Sequence, residues 1–150
     1  MIPPLPRIQP DVIRESGHAD LAGCHLWDES TNTYNEPFIQ KLLPGKKVAM
    51  LTLAHRHVGL ILQTGNPLGI KGLKDLTKPG VLFANRQQGS GTRVWLDAQL
   101  HRLKINPANI CGYEQEYLTH SEVARAISKG QANAGIGVET AALSFGLTFK

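Results

Sequence analysis

Cysteine is scarce. Cys24 and Cys111 are the only two in 150 residues, far apart and without a CxxC partner, so neither a zinc ribbon nor a disulfide framework is indicated and reduced thiols fit best. Long apolar runs are also missing, none approaching the roughly twenty residues of a membrane-spanning helix. The N-terminus, Met1 to Arg7, has neither the charged and apolar regions nor the small-residue cleavage site of a secretory leader. A soluble cytoplasmic protein is the expectation. Clustered basic charge is lacking too. The formal net charge is +4, yet Lys46-Lys47 is the only adjacent basic pair, whereas nucleic-acid binders concentrate such residues on one element or face. Direct nucleic-acid binding is not expected. No Walker lysine, no nucleophile elbow and no dinucleotide fingerprint with its downstream acid can be found. Neither an enzyme nor a cofactor is expected.

What is present is a chain long enough to bury a core without disulfides or metals. Residues 2 to 10 carry four prolines, which deny regular structure. Val12 to Ser16 reads as a short helix, and Asp20 to Leu26 as a small buried strand, followed by a polar, turn-rich loop from Trp27 to Asn35. Asn35 is a candidate N-cap for a helix with Pro37 in its first turn, ending at Pro44-Gly45. Lys47 to His55 and His57 to Gln63 read as two strands, and Leu73 to Leu76 as one helical turn.

From Val81 onward the chain alternates strands and helices. An apolar strand, Val81 to Ala84, precedes a helix over Val94 to Leu103 that places Val94, Leu96, Leu100 and Leu103 on a buried face and leaves Arg93, Asp97 and Arg102 for solvent. Gly112 to Leu118 reads as a strand. Thr119 with Glu122 forms a capping-box pattern for the next helix, whose apolar side is Val123, Ala126 and Ile127 and which ends at Lys129-Gly130. A strand over Ala132 to Val138, a helix over Glu139 to Phe145 and a strand beginning at Leu147 complete the pattern. It predicts an α/β fold with a parallel sheet and helices on both faces, where ligands sit beyond the C-terminal strand ends.

Asn85 to Arg93, Asn-Arg-Gln-Gln-Gly-Ser-Gly-Thr-Arg, is the stretch with the most chemistry. Its glycines permit a close backbone approach, and the first turn of the following helix offers unpaired N–H groups and the positive dipole end. Such a place suits an anion. The same residues also suit a plain strand-to-helix turn, because Ser90 or Thr92 can simply cap the helix. Among the rest, Cys24 reads as a small buried residue before a nucleophile. His55 and His57 share a strand face but lack an evident third ligand, so no metal site is expected. Asp28 and Glu29 read as solvated acids.

The ordered set Asp20-Leu21-Ala22-Gly23-Cys24-His25-Leu26-Trp27-Asp28, Tyr34-Asn35 with Pro37, Asn85 with Gly89-Ser90-Gly91-Thr92-Arg93, Leu96-Asp97, Thr119-His120 through Ala126, and Gly130 to Gly137 resembles the PBP-like domain of the periplasmic-binding-protein superfamily. That is the cytoplasmic ligand-binding domain found with winged-helix regulators and molybdopterin biosynthesis proteins. The resemblance implies a type II binding-protein fold that closes on a small ligand, often an oxyanion such as molybdate or tungstate. It implies ligand contacts at Cys24 and His25 in a first lobe, and at Ser90, Gly91, Thr92, Arg93, Thr119, His120 and Glu139 in a second. His25 and His120 also admit a plain structural or surface reading.

Measured against that family, residues 72–150 form one nearly complete Rossmann-like lobe, and residues 1–71 a partial first lobe with crossover strands. An unfinished sheet exposes strand edges, so a homodimer or a missing partner segment is expected. The resemblance points to a non-catalytic sensor of a small anion, tied to transcription regulation or molybdenum cofactor metabolism. The alternative is a truncated interaction domain of the same fold that has lost its ligand and works through dimerisation.

Overall fold

The computed structural model describes residues 23–28 and 30–150, and the chain forms two compact units, Met1–Leu51 and Thr52–Lys150. The proline-rich arm, the helix expected at 12–16 and the first part of the strand expected at 20–26 lie outside the described residues.

In the first unit, β1 (Trp27–Asp28) pairs antiparallel with β2 (Thr33–Tyr34). The stretch expected to be a loop is therefore a small hairpin, and residues 23–26, expected as a strand, carry no regular structure. Asp28 holds the turn. Its carboxylate accepts from the Ser30 hydroxyl, the Thr31 N–H and the Thr31 hydroxyl. These bonds, that of Ser30 first, keep its pKa below the ordinary carboxylate value. Helix α1 (Glu36–Leu42) follows with Pro37 in its first turn. Asn35 sits at the cap position without a side-chain cap bond. Its φ of 65° lies in the left-handed region that Asn tolerates, and its amide oxygen instead accepts from the Leu26 N–H at 2.8 Å.

The strand expected over 47–55 does not form. Leu51 and Leu53 are 83% and 98% exposed, and among the described residues no strand lies beside this segment to supply ladder hydrogen bonds.

The second unit is built on five strands: β3 (Val58–Leu62), β4 (Phe83–Arg86), β5 (Glu116–Tyr117), β6 (Ala134–Val138) and β7 (Thr148–Phe149), in the order β5-β4-β6-β3-β7. β4 runs parallel to β5 and β6, while β3 is antiparallel to both β6 and β7. The sheet is therefore mixed, not parallel as expected. An apolar run such as Val58 to Leu62 reports burial on both faces but carries no information on strand direction. β3, grouped above with residues 1–71 as a crossover strand, is hydrogen-bonded into the middle of this sheet.

Helices α2 (Gly91–Arg102), α3 (His120–Ser128) and α4 (Glu139–Ser144) cover the two faces. Period-two alternation decides which helix meets which residue. Leu60, Leu62, Phe83, Ala134 and Ile136 pack with Leu96 and Leu100 of α2. Ile61 and Ala84 pack with Val123, Ala124 and Ile127 of α3 and with Ala141 and Ala142 of α4. The buried stripe of α2 is Arg93, Leu96 and Leu100, at i, i+3 and i+7. Val94 and Leu103, expected inside, are exposed, because a charged residue takes the first position of the stripe. The strand expected over 112–118 shrinks to two residues. The preceding stretch forms turns, with the Gln115 N–H donating to the Gly112 carbonyl, and Gly112 has a φ of 83°.

On the α3 side, β6 is stripped to glycine. A Cβ on Gly135 would lie 2.5 Å from Val123 Cγ1 and 2.9 Å from the Ala84 carbonyl oxygen, so α3 can approach the sheet only because that side chain is absent. Gly135→Ala is expected to destabilise the protein by about 1–3 kcal/mol through overpacking. In urea unfolding it should lower the midpoint and leave the slope unchanged.

Candidate functional site

The register of the sheet brings several chemistry-bearing residues to one edge. Arg86 of β4 pairs with Tyr117 of β5, and Ala84 pairs with Gly135 of β6. Carried on by two residues, that register sets Arg86 level with Gly137, which pairs with Gly59 of β3. Beyond this level lie residues 87–90, the turn 118–120, Glu139 and the entering His57. All stand at the C-terminal ends of the parallel strands, where ligands of open α/β sheets bind.

The glycine stretch divides into three parts. Asn85 and Arg86 belong to β4 and are buried, residues 87–90 form the loop, and Gly91 opens α2. Asn85 is satisfied locally, its amide donating to the Tyr113 carbonyl and its oxygen accepting from the Arg86 N–H. Ser90 is the N-cap, its hydroxyl accepting from the Arg93 N–H at 3.2 Å. The capping reading of Ser90 is thus realised. Gly91 is exposed and Thr92 half-buried in the first turn.

Arg93 does not face solvent, as the stripe of α2 had led us to expect; it is 3% exposed. Its Nε donates to both Asp97 oxygens at 3.0 and 3.2 Å, and Nη1 donates to the Arg86 carbonyl at 3.3 Å and to Glu116 at 3.1 Å. The guanidinium lies 4.2 Å from the centre of the Tyr113 ring, within range of a cation–π contact. Burial acts against its charge, but Tyr113 and Asp97 outweigh it and hold the pKa above the ordinary arginine value. Tyr113 donates its hydroxyl to Asp97 in a short hydrogen bond.

On the opposite face, Arg86 reaches along the end of β5. Nε donates to the Tyr117 carbonyl at 3.2 Å, Nη2 to the Leu118 carbonyl at 2.8 Å, and Nη1 stands 3.0 Å from both ring nitrogens of His120. Arginine can only donate, so the imidazole nitrogen that accepts carries no proton. Space for that ring depends on Gly137, where a Cβ would come within 3.3 Å of His120 Nδ1. Thr119 caps α3 in the expected box. Its hydroxyl accepts from the Glu122 N–H, and the Glu122 carboxylate accepts from the N–H groups of Leu118 and Thr119.

Glu139, first residue of α4, pairs with His57 at 2.9 Å, both side chains being well exposed, and the Glu139 N–H donates to the His57 carbonyl. Among the described residues no group of three or more His, Cys, Asp or Glu side chains is arranged to hold a metal ion. Cys24 is half-buried beside Leu26, Phe38 and Ile39 in an apolar recess of the first unit, and His25 is exposed there.

The sequence reading missed Arg86, Glu116 and His57 as members of this edge. Arg86 lies within the glycine stretch and could have been flagged as the last residue of its strand. Glu116 and His57 gave no local signal, since only the pairing of β5 with β4 and of β3 with β6 brings them here.

Burial, followed by the bond to Asp97, raises the Tyr113 pKa above the ordinary phenol value. The folded state therefore holds this proton more tightly than the unfolded chain does. The stability it contributes is fully present below a pH of about 10 and is lost as the pH rises through the elevated folded value. Urea melts at stepped alkaline pH should show this fall in the wild type and a flatter profile in Tyr113→Phe.

The comparisons with known proteins agree with this architecture. The family model for a PBP superfamily domain matches residues 14–150. The chain is 41% identical over 126 residues to YvgK of Bacillus subtilis strain 168, an uncharacterized protein. The match covers 84% of this chain but only 41% of that relative. No solved structure matches.

Proposed function

The chain belongs to the PBP superfamily, and from that premise we propose that it is a non-catalytic domain that binds a small oxyanion, molybdate or tungstate being the leading candidates. One observation carries the proposal. The Gly89-Ser90-Gly91-Thr92 loop opens a twelve-residue helix at the C-terminal edge of the sheet, where backbone N–H groups and the helix dipole favour negative charge. Thr119 and His120 begin a second helix at the same edge, and Glu139 begins a third. Cys24 and His25 are the candidates from the first unit. Residues 72–150 are read as the second lobe of a type II binding-protein fold and residues 1–71 as a partial first lobe. An antiparallel strand placed between parallel neighbours, as β3 is, supports a chain that crosses into this sheet from a preceding lobe. The setting we propose is a cytoplasmic sensor tied to transcription regulation or molybdenum cofactor metabolism. Among the described residues no helix is long and apolar enough to cross a membrane.

A ligand that binds the native state alone stabilises it by mass action, about 2.7 kcal/mol at a hundredfold excess over Kd. Thermal shift with molybdate, tungstate, sulfate and phosphate should show at least one stabilising anion. The double variant Ser90→Ala with Thr92→Ala should lose that response relative to its own Tm. Silence from all four anions in the wild type would remove the ligand reading.

A second reading is favoured by the exposure of Leu51 and Leu53. A β-prone segment without a partner can pair with another chain, which fits an interaction domain acting as a homodimer or with a separate segment. Light scattering on a size-exclusion column should report a mass above that of one chain; a stable monomer would count against this reading.

A further inference from the structure

Residues 87–90 are held in shape by groups that are not part of the loop. We propose that Glu116, working with Arg93, is a positioning residue that fixes this loop in its ligand-ready conformation. The proposal rests on the oxyanion reading of the loop.

Several of the bonds at the loop meet at two residues. Glu116 Oε1 accepts from the Gln88 N–H at 3.2 Å and from Arg93 Nη1 at 3.1 Å. Arg93 Nη1 also donates to the Arg86 carbonyl at 3.3 Å, and the Arg93 backbone N–H donates to the Ser90 hydroxyl at 3.2 Å. The Arg86 carbonyl just before the loop and the Gln88 N–H within it are thus tied to the side chains of Arg93 and Glu116, and Ser90 at its end to the Arg93 backbone N–H. Glu116 pairs with Asn85 in the β5–β4 ladder, so its backbone is anchored in the sheet and does not move with the loop.

Two further facts identify loop geometry as the constrained quantity. Gly89 has a φ of 76°, and nothing lies within 4 Å of where its Cβ would stand. Glycine is there for the backbone angle and not for space. Moreover, a carboxylate close to an anion site repels the ligand, so Glu116 is a poor choice as a ligand contact. Arg93, shared with Asp97, offsets part of the Glu116 charge, and the contribution of Glu116 is the acceptor geometry. Preorganised donors spare the ligand the cost of ordering the loop.

Amide hydrogen exchange on the full chain without ligand tests this directly. In Glu116→Ala the Gln88 N–H should exchange about tenfold faster or more, while the Ile136 N–H in β6 keeps its wild-type rate, as expected for local opening. Glu116→Gln retains an acceptor oxygen and should restore most of the protection. The proposal is overturned when Gln88 exchange is unchanged in Glu116→Ala, when Ile136 accelerates equally, or when the Gln and Ala variants behave alike. For whichever of molybdate, tungstate, sulfate or phosphate stabilises the wild type, Glu116→Ala should weaken Kd by about tenfold with rescue by Glu116→Gln, as loop ordering is transferred to the binding step. An equal Kd also overturns it. A wild type that responds to none of the four removes the ligand reading, and the exchange result then decides the clamp by itself.

Discussion

A guanidinium buried under the first turn of α2 is the constraint from which the C-terminal end of the parallel strands takes its form. Arg93 occupies the leading position of the helix stripe, where an apolar residue would be the ordinary choice. Charge is tolerated there because each polar contact is supplied: a chelating carboxylate from Asp97 one turn on, Glu116 from β5, the Arg86 carbonyl and the face of Tyr113. Lysine would not substitute, since a point charge cannot span a fork of acceptors lying in different directions. Asp97 and Glu116 remain partly open to water, so neither pair is a strong stabiliser alone. What the network contributes is shape. It joins helix, two strands and loop at one point.

A second cation performs the matching task on the other face. Arg86 spends its donors on the carbonyls of Tyr117 and Leu118 and on His120, holding the turn into α3 as Arg93 holds the turn into α2. Alternation along β4 makes this division inevitable: Asn85 points to the α2 side and Arg86 to the α3 side. The small residues of β6 complete the arrangement. Gly135 admits α3 and Gly137 leaves room for the His120 ring.

Much of this was readable from sequence where the signal is local. The Thr119/Glu122 box, the end at Lys129-Gly130, the Gly/Ala strand and the glycine loop before α2 are each encoded by residues adjacent in the chain, and each formed as expected. What escaped detection depends on distant pairing. Val58 to Leu62 announces a buried strand, yet its antiparallel direction follows only from the register with Val138 to Ala134. Val94 looked like a core residue because it is apolar. The helix phase, set by Leu96 and Leu100 against Phe83, gave that place to Arg93 instead. The segment at 47–55 has the composition of a strand, but β-propensity measures fit to neighbours, and among the described residues no strand pairs with it.

The charges at the edge bear on how selective such a site can be. Glu116 shares the single charge of Arg93 with Asp97, and Glu139 is matched by the imidazole of His57. In the first pair Arg93 is buried while Glu116 stays partly open to water. The second is exposed and screened. On the proposed oxyanion reading, an anion at the α2 turn meets oriented N–H dipoles. Recognition by backbone donors of this kind depends on distance and direction more than on net charge, because a hydrogen bond weakens steeply once its angle departs from linear. Size and geometry of the ligand thus become the discriminating variables, and the loop must be rigid for them to count. The buried arginine supplies that rigidity. Of the two arginines in the glycine stretch, Arg93 is engaged by Asp97, Glu116 and the Arg86 carbonyl, and Arg86 reaches the turn into α3.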